Sequence, residues 1–535
     1  MKRVTSVPPF GACYRAKSTV KSQTGPVVPY MILVCKATHI GDCTVPIPWS
    51  VKKDVLCLAF VDQFESPRTS VVIGAHQMEN YLIEFDHVSN SRPSILTELQ
   101  TTASINVGLS CTISNAAKLK PKAFVFPIRK DANKLQYYTS FEISKRGNNV
   151  PLVLDLFSQH TWFVCDGYKF PTYKPIMCHS DKCRTYNKKG EPCMICEPNT
   201  VSRTPGCTVG ACTLYSNNPY GIFFGQGALS LGEDFIFAMT TNGVSVGTTY
   251  KSPKPIFPFT CSDANFLGNL SNKTRGMAGI GNGITSLHAQ LSSQFKVPHK
   301  FALCLPSTSE NAPGHMFVGG GPYYFSPYGK DIAKQLITTP LVENPLKIRG
   351  VTQSGEDAEY DFYVNVTSIS VDHKLVSFNA SLLSIEKDGF GGTSFSTTSA
   401  YTILTSSIYE SLVSAFVKAA AFRKMIRVAS VAPFGACFDS KSIARSQTGP
   451  VVPYIDIGLA GNTHWRFYGA NSMVAVNNDV LCLAFVDAPF VRSSIHIGSH
   501  QMENYLIEFD LVSKKLGIST SLSFRNTTCS QSRGI

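Results

Sequence analysis

Short apolar runs bounded by turn residues dominate the hydropathy pattern of this chain. Stretches such as KAFVFPI (122–128), VPLVLDL (150–156), TWFVC (161–165), HMFVGG (315–320) and YDFYVNVTSISV (360–371) mix β-branched and aromatic residues and read as strands. Two segments carry helical spacing instead. They are SLHAQLSSQF (286–295) and SSIYESLVSAFVKAAAF (406–422), where Ile408, Leu412, Ala415, Phe416 and Ala419 share one face. Many strands with few helices predict a mainly β protein of sandwich or barrel class.

The pattern also repeats. Residues 4–30 match 428–454 at 19 of 27 positions, and HQMENYLIEFD at 76–86 recurs unchanged at 500–510. A spacing of roughly 424 residues excludes a solenoid. It reads instead as the tail of one protein placed ahead of a second, complete copy. Between the matching blocks, 31–53 shares almost nothing with 455–478 and has lost its strand pattern. A frameshifted stretch accounts for this and makes Cys35 and Cys43 accidents. The opening MKRVTSV has no apolar core, so no signal peptide is expected there. INVGLSCTISNAA (105–117), which contains Cys111, resembles the cleavage end of one. The expected division is a partial duplicate of a C-terminal lobe at 1–95, a junction at 96–118, and two lobes at 119–335 and 336–535.

At 535 residues the chain is too long for one ordinary core. It has no apolar run long enough to cross a membrane as a helix. The net charge of +13 is scattered rather than gathered into Lys/Arg runs, which argues against nucleic acid. An acidic wall polysaccharide or an acidic protein suits such a surface better.

Seventeen cysteines and five N-x-S/T sequons, at Asn269, Asn272, Asn365, Asn379 and Asn526, favour an oxidising secretory route with glycosylation. The cysteines between 178 and 212 raise the question of a metal. They do not repeat a C-x2-C spacing, so nested disulfides are the better reading and neither metal nor cofactor is expected. From Cys165 onward there are twelve: Cys165, Cys178, Cys183, Cys193, Cys196, Cys207, Cys212, Cys261, Cys304, Cys437, Cys482 and Cys529. Six bridges fit that number. Cys437 and Cys482 recur together as Cys13 and Cys57, so they are expected to bond to each other. The group Cys193, Cys196, Cys207 and Cys212 is expected to bond internally.

Four stretches carry a family resemblance. GMAGIGNGITSLHAQL (276–291), TTPLVENP (338–345) with YDFYVNVTSISVD (360–372), and the paired VVIGAHQMENYLIEFD (71–86) and HIGSHQMENYLIEFD (496–510) resemble the plant branch of pepsin-like aspartic proteases. The resemblance implies a bilobal pepsin-like fold over 119–535, preceded by a partial duplicate of the C-terminal lobe. It also implies one catalytic aspartate per lobe, in Asp-Thr-Gly or Asp-Ser-Gly. Two such carboxylates share a proton across an attacking water, because like charges so close cannot both ionise easily. Here the first motif reads VLDLFSQHTWFVCD: Asp155 and Ser158 stay, while Leu156 and Phe157 replace the hydroxyl residue and the glycine. Phe157 loses the backbone freedom of glycine. GTSFSTTSAYTIL (392–404) puts Ser396 at the second aspartate's place, and no Asp lies between Asp388 and Asp439. No catalytic pair is intact. A serine nucleophile at Ser396 would need a histidine, and none neighbours it in sequence. Tyr220-Gly221 resembles a flap tyrosine, but irregular spacing after it leaves that role unassigned.

These departures, the twelve cysteines, and PFGACF (433–438) followed by GPVVPYIDIGL (449–459) resemble a non-proteolytic subgroup. It comprises the extracellular dermal glycoproteins, the xylanase and glucanase inhibitor proteins and the basic 7S globulins of plants. The resemblance implies a secreted apoplastic or cell-wall glycoprotein that binds and inhibits microbial glycoside hydrolases in defence. The alternatives are an aspartic endopeptidase and a wall or storage glycoprotein without a specific target.

Overall fold

A computed structural model describes residues 122–532, apart from 146, 188–191, 197–204, 221–226, 242–245, 248–254, 309–311, 346–360 and 489–491. Ahead of these it describes only the backbone of short strands. The chain divides into two units, Met1–Leu119 and Lys120–Ile535.

In the first half of the large unit, β1 (Ala123–Lys130), β2 (Tyr137–Ile143), β3 (Asn149–Asp155), β4 (Trp162–Val164), β5 (Ile256–Ser262) and β6 (Gly276–Gly279) surround a core rich in aromatic side chains. Phe126, Phe141 and Phe257 meet edge to face, and Phe163 stacks on Phe259. Next come β7 (Lys300–Cys304), β8 (Gly314–Val318) and β9 (Ile337–Val342). The second half adds β10 (Thr393–Phe395), β11 (Thr402–Leu404), β12 (Phe485–Asp487), β13 (Ile495–Ile497), β14 (Leu506–Asp510) and β15 (Lys515–Ile518). The fold is mainly β and pepsin-like.

One sheet belongs to both halves. In it β1, β8, β7, β14, β15 and β9 lie side by side, all antiparallel. The final strands of the chain therefore close against the first half, and Cys304–Cys529 bridges the same junction. The pairing of β7 with β14 joins residues on either side of 335/336, where the sequence places a lobe boundary.

Three helices matter for packing. α1 (Asp181–Tyr186) is capped by Ser180 and was not expected from the sequence. α2 (Leu287–Phe295) has Ser286 at its N-cap position. α3 (Ser406–Phe422) buries Ile408, Leu412, Phe416 and Ala420, a clean every-fourth-residue stripe. Ala415 and Ala419, expected on that face, lie at its half-buried margin, and Ala420 takes the deep position. The run YDFYVNVTSISV splits into Tyr363–Val364 and Val366–Val371.

The first unit repeats a piece of the second. Its strands Arg3–Val4, Cys13–Arg15, Trp49–Lys52 and Val55–Cys57 form an antiparallel sheet in which Val4 faces Cys13 and Cys13 faces Cys57. In the large unit, Val428 faces Cys437 and Cys437 faces Cys482 in the same arrangement. The stretch 31–53 is not strandless, as the sequence suggests. Met31–Leu33 pairs with Cys43–Val45, and Trp49–Lys52 joins the sheet that contains Cys13 and Cys57. Altered residues there still satisfy a hairpin, because pairing is a backbone property. Of the junction expected at 96–118, only Leu96 is described, so its signal-like stretch and Cys111 fall outside.

The twelve cysteines of the large unit form six bridges: 165–261, 178–193, 183–212, 196–207, 304–529 and 437–482. Within the group 193/196/207/212 only Cys196 and Cys207 bond to each other. Cys193 pairs with Cys178 and Cys212 with Cys183, because the 177–178 and 193–194 segments are both hydrogen-bonded to residues 210–211. The five sequon asparagines are exposed.

Peptide mapping of the non-reduced protein should recover these six pairs. Replacing Cys437 and Cys482 together by alanine should cost about 2–5 kcal/mol in urea unfolding, and an unchanged midpoint would contradict the bridge. Limited proteolysis should cut between 96 and 120 and leave a resistant core. A full-length resistant product would show one inseparable body.

Candidate functional site

Two turns related by an internal pseudo-twofold pattern form the site. β3 runs parallel to β6, with Asp155 opposite Gly279, and β4 returns antiparallel along the other edge of β6. In the second half β10 runs parallel to β13 and β11 returns antiparallel to it. β4 also pairs in parallel with β5, as β11 does with β12. Ser396, the residue after β10, therefore occupies the place that Asp155 holds at the end of β3.

Details repeat with the same offset. Thr161, six residues past Asp155, accepts a hydrogen bond from Gly279 N at 3.1 Å. Thr402, six past Ser396, accepts one from Gly498 N at 3.0 Å. Both glycines are needed for close backbone approach. A Cβ on Gly279 would lie 2.5 Å from the carbonyl carbon of Gln159, and one on Gly498 would lie 2.2 Å from that of Tyr401.

The turns touch through one hydroxyl. Thr397 Oγ1 accepts from Leu156 N at 3.1 Å and donates to the Leu154 carbonyl at 2.7 Å, so it brackets Asp155 on both sides. The equivalent residue in the first turn is Leu156, which has no hydroxyl to offer in return. Asp155 and Ser396 are 2% and 1% exposed. Asp155 Oδ1 accepts from Phe157 N at 2.9 Å. Burial pushes the Asp155 carboxyl up to about 6, against the opposing pull of the Phe157 and Ser158 amides. Ser396 Oγ accepts from the amides of Thr398 and Ser399, at 3.1 and 2.9 Å, and lies 3.0 Å from the Thr398 hydroxyl. Its recorded partners include no histidine.

Phe157 is half-buried and is not among the described residues at positive φ. The departure from glycine therefore adds bulk rather than the backbone strain the sequence suggests. Tyr220, left without a role by the sequence, donates its hydroxyl to the Thr398 carbonyl at 2.7 Å. Burial and the nearby Asp155 charge both raise its pKa. The phenol thus reaches from the first half onto the second turn, beside the one carboxyl. Gly221 lies outside the described residues.

A second polar cluster went unseen in the sequence. Glu503, buried, takes an ion pair from Lys130, a hydrogen bond from the Tyr137 hydroxyl, and stands 3.3 Å from His500 Nδ1. Burial alone would raise its pKa, but His500 and Lys130 hold it below the ordinary value. These groups line a cavity of about 260 Å³ at the junction of the halves. Among the described residues, the three-ligand cluster with metal-like spacing is Cys178, His179 and Cys193. Its two sulfurs are bonded to each other.

Folding raises the Asp155 pKa from 3.8 to about 6. The folded state then binds that proton more tightly than the unfolded chain, so the contribution of this carboxyl falls as pH rises from about 4 to 6. Asp155→Asn should gain roughly 2–3 kcal/mol relative to wild type between pH 4 and pH 7 in urea melts. Parallel pH slopes for the two proteins would refute the desolvated carboxyl.

The description "Xylanase inhibitor N-terminal" matches residues 137–320, and "Xylanase inhibitor C-terminal" matches 361–520 and, separately, 1–91. A Nicotiana benthamiana protein named probable aspartic proteinase GIP2 is 40% identical over 425 residues, spanning 78% of this chain and 94% of its own length. Gamma conglutin 1 of Prunus dulcis is 38% identical, spanning 77% and 89%. Among solved structures, that of edgp superposes with a TM-score of 0.71 at 36% identity, over 78% of this chain and 99% of that one. Basic 7S globulin from soybean gives 0.62 at 27%, over 77% and 98%.

Proposed function

The chain belongs to the pepsin-like xylanase-inhibitor family, and from that membership we propose that it is a non-catalytic binding protein that inhibits microbial cell-wall glycoside hydrolases, xylanase or glucanase, in plant defence. The observation that carries the non-catalytic half is Ser396 at the station equivalent to Asp155. A hydroxyl held by two backbone amides cannot share a proton with Asp155, and acid–base assistance of about 10²–10⁴-fold is lost with it. Tyr220, clasped to Thr398 beside Asp155, further occupies the neighbourhood where an attacking water would work. Aspartic endopeptidase activity, which the name of the Nicotiana relative suggests, has this geometry against it.

The hydrolase half rests on the family description and on chemistry. Glycoside hydrolases present paired carboxylates in a cleft, and a chain of net charge +13 suits such a target. Six disulfides and exposed sequons fit a secreted, glycosylated protein of the apoplast. A wall or storage glycoprotein is the second reading, favoured by relatives named gamma conglutin and basic 7S globulin. An acidic wall polysaccharide is the partner under that reading.

The deciding experiment expresses the full chain and 120–535 behind a working secretory leader. Each product is assayed for cleavage of a denatured protein at pH 3–6 and for inhibition of fungal xylanases and glucanases. The expected outcome is no pepstatin-sensitive proteolysis and stoichiometric inhibition of at least one hydrolase. Sustained proteolysis abolished by Asp155→Asn would overturn the non-catalytic reading. Inactivity against every hydrolase, with retention on pectin-like wall polysaccharide, would favour the structural one.

A further inference from the structure

The six bridges differ in exposure. Cys165–Cys261, Cys183–Cys212, Cys304–Cys529 and Cys437–Cys482 are buried at both ends. Cys178–Cys193 and Cys196–Cys207 are half-exposed at both ends. Thiol–disulfide chemistry needs access to a sulfur, so a mild reductant reaches these two first.

Cys178–Cys193 has an imidazole beside it. His179 is exposed, and its Nε2 lies 3.6 Å from Cys193 Sγ. The ligand atoms of Cys178, His179 and Cys193 all lie within 4.8 Å of one another. A tetrahedral zinc with Zn–S near 2.3 Å and Zn–N near 2.0–2.1 Å separates a sulfur from a nitrogen ligand by about 3.6 Å. The His179–Cys193 spacing already has that value.

Hydrogen bonds hold the two cysteine segments in addition to the bridge. Cys178 N donates to Gly210 O at 2.9 Å, Gly210 N to Met194 O at 3.0 Å, and Met194 N to Ala211 O at 2.8 Å. Thr213 Oγ1 donates to Pro192 O at 2.6 Å, on the other side of Cys193. Both cysteine segments are therefore stitched to one turn, which the buried Cys183–Cys212 bridge anchors. Ser180 fixes the backbone after His179, accepting from Cys183 N at 3.2 Å and donating to Met177 O at 2.6 Å.

We propose that reduction of Cys178–Cys193 opens a zinc site formed by Cys178, His179 and Cys193, with water as the fourth ligand. While the bridge is intact the sulfurs are no thiolates and hold no metal. A phosphine reductant attacks one sulfur and breaks the S–S bond. Taking oxygen from one water, it leaves as the phosphine oxide, and the two cysteines receive two electrons and two protons. Zinc then displaces the two thiol protons.

The test uses the full chain with serine at Cys13, Cys35, Cys43, Cys57 and Cys111, treated briefly with a phosphine and desalted without oxygen. Zinc uptake is titrated against a chromophoric chelator, cobalt(II) reports thiolate ligation by its charge-transfer band, and alkylation with mass mapping identifies the opened bridge. One zinc per chain is expected after reduction and none before. Binding should weaken at least tenfold in His179→Gln, disappear in Cys178→Ser, and persist when Cys196 and Cys207 are both serine. No uptake after confirmed opening of 178–193, equal uptake by the oxidised chain, unweakened binding in His179→Gln, or loss of the circular dichroism of the fold on opening this bridge would each overturn the proposal.

Discussion

The Thr397 hydroxyl is the contact around which the cleft is arranged. It satisfies a buried amide at Leu156 and a buried carbonyl at Leu154, the two peptide groups flanking Asp155. Either group left unpaired would cost about 1–3 kcal/mol. A symmetric pair of turns would make this clasp twice, but Leu156 can return nothing. The junction tolerates the missing half because it does not rest on the turns alone. The antiparallel run β1–β8–β7–β14–β15–β9 crosses between halves, Cys304–Cys529 locks its end, and Glu503 is paired with Lys130 and Tyr137 beside it.

That surplus also explains how a lone carboxyl persists in the cleft. Ser396 stands at the station equivalent to Asp155 and carries no charge, so burial is what raises the Asp155 pKa, to about 6. The turn amides of Phe157 and Ser158 supply enough opposing polarity to keep the group useful as a structural acceptor. Tyr220, near enough to Asp155 to feel its charge, donates to a carbonyl of the opposite turn.

Much of this was legible in the sequence because it is local. The buried stripe of α3 follows from spacing, the strands from their composition, and Asp155 and Ser396 from motif position. Thr161 and Thr402, each six residues past its turn, could also have been found by laying the two motifs together. Contacts set by long-range pairing were not legible. Glu503 meets Lys130 across 373 positions, and no local pattern announces it. Cys193 and Cys212 pair outside the group expected from the sequence, for a related reason. Their partners are chosen by hydrogen bonds to the 210–211 turn, which spacing does not encode. Phe157 misled in the opposite direction, since a glycine position in a motif is not always one that requires positive φ.

The duplicated segment shows how far identical sequence leaves structure undecided. LIEFD occurs at 82–86 and at 506–510. The second copy pairs with β7 on one side and β15 on the other. In the first, Leu82–Ile83 pairs with Ile95–Leu96. β7 has two edges, one taken by β8, so it can accept only one such strand. What selects 506–510 lies outside the eleven residues that 76–86 and 500–510 share. The hairpin to β15 carries the strand into the sheet, and Cys529, which has no counterpart after residue 86, fastens the end of the chain to Cys304 in β7 itself. A covalent tie to the docking strand raises the local concentration of its own copy far above that of a competitor. Connectivity and the disulfide thus distinguish the two copies where their shared residues do not.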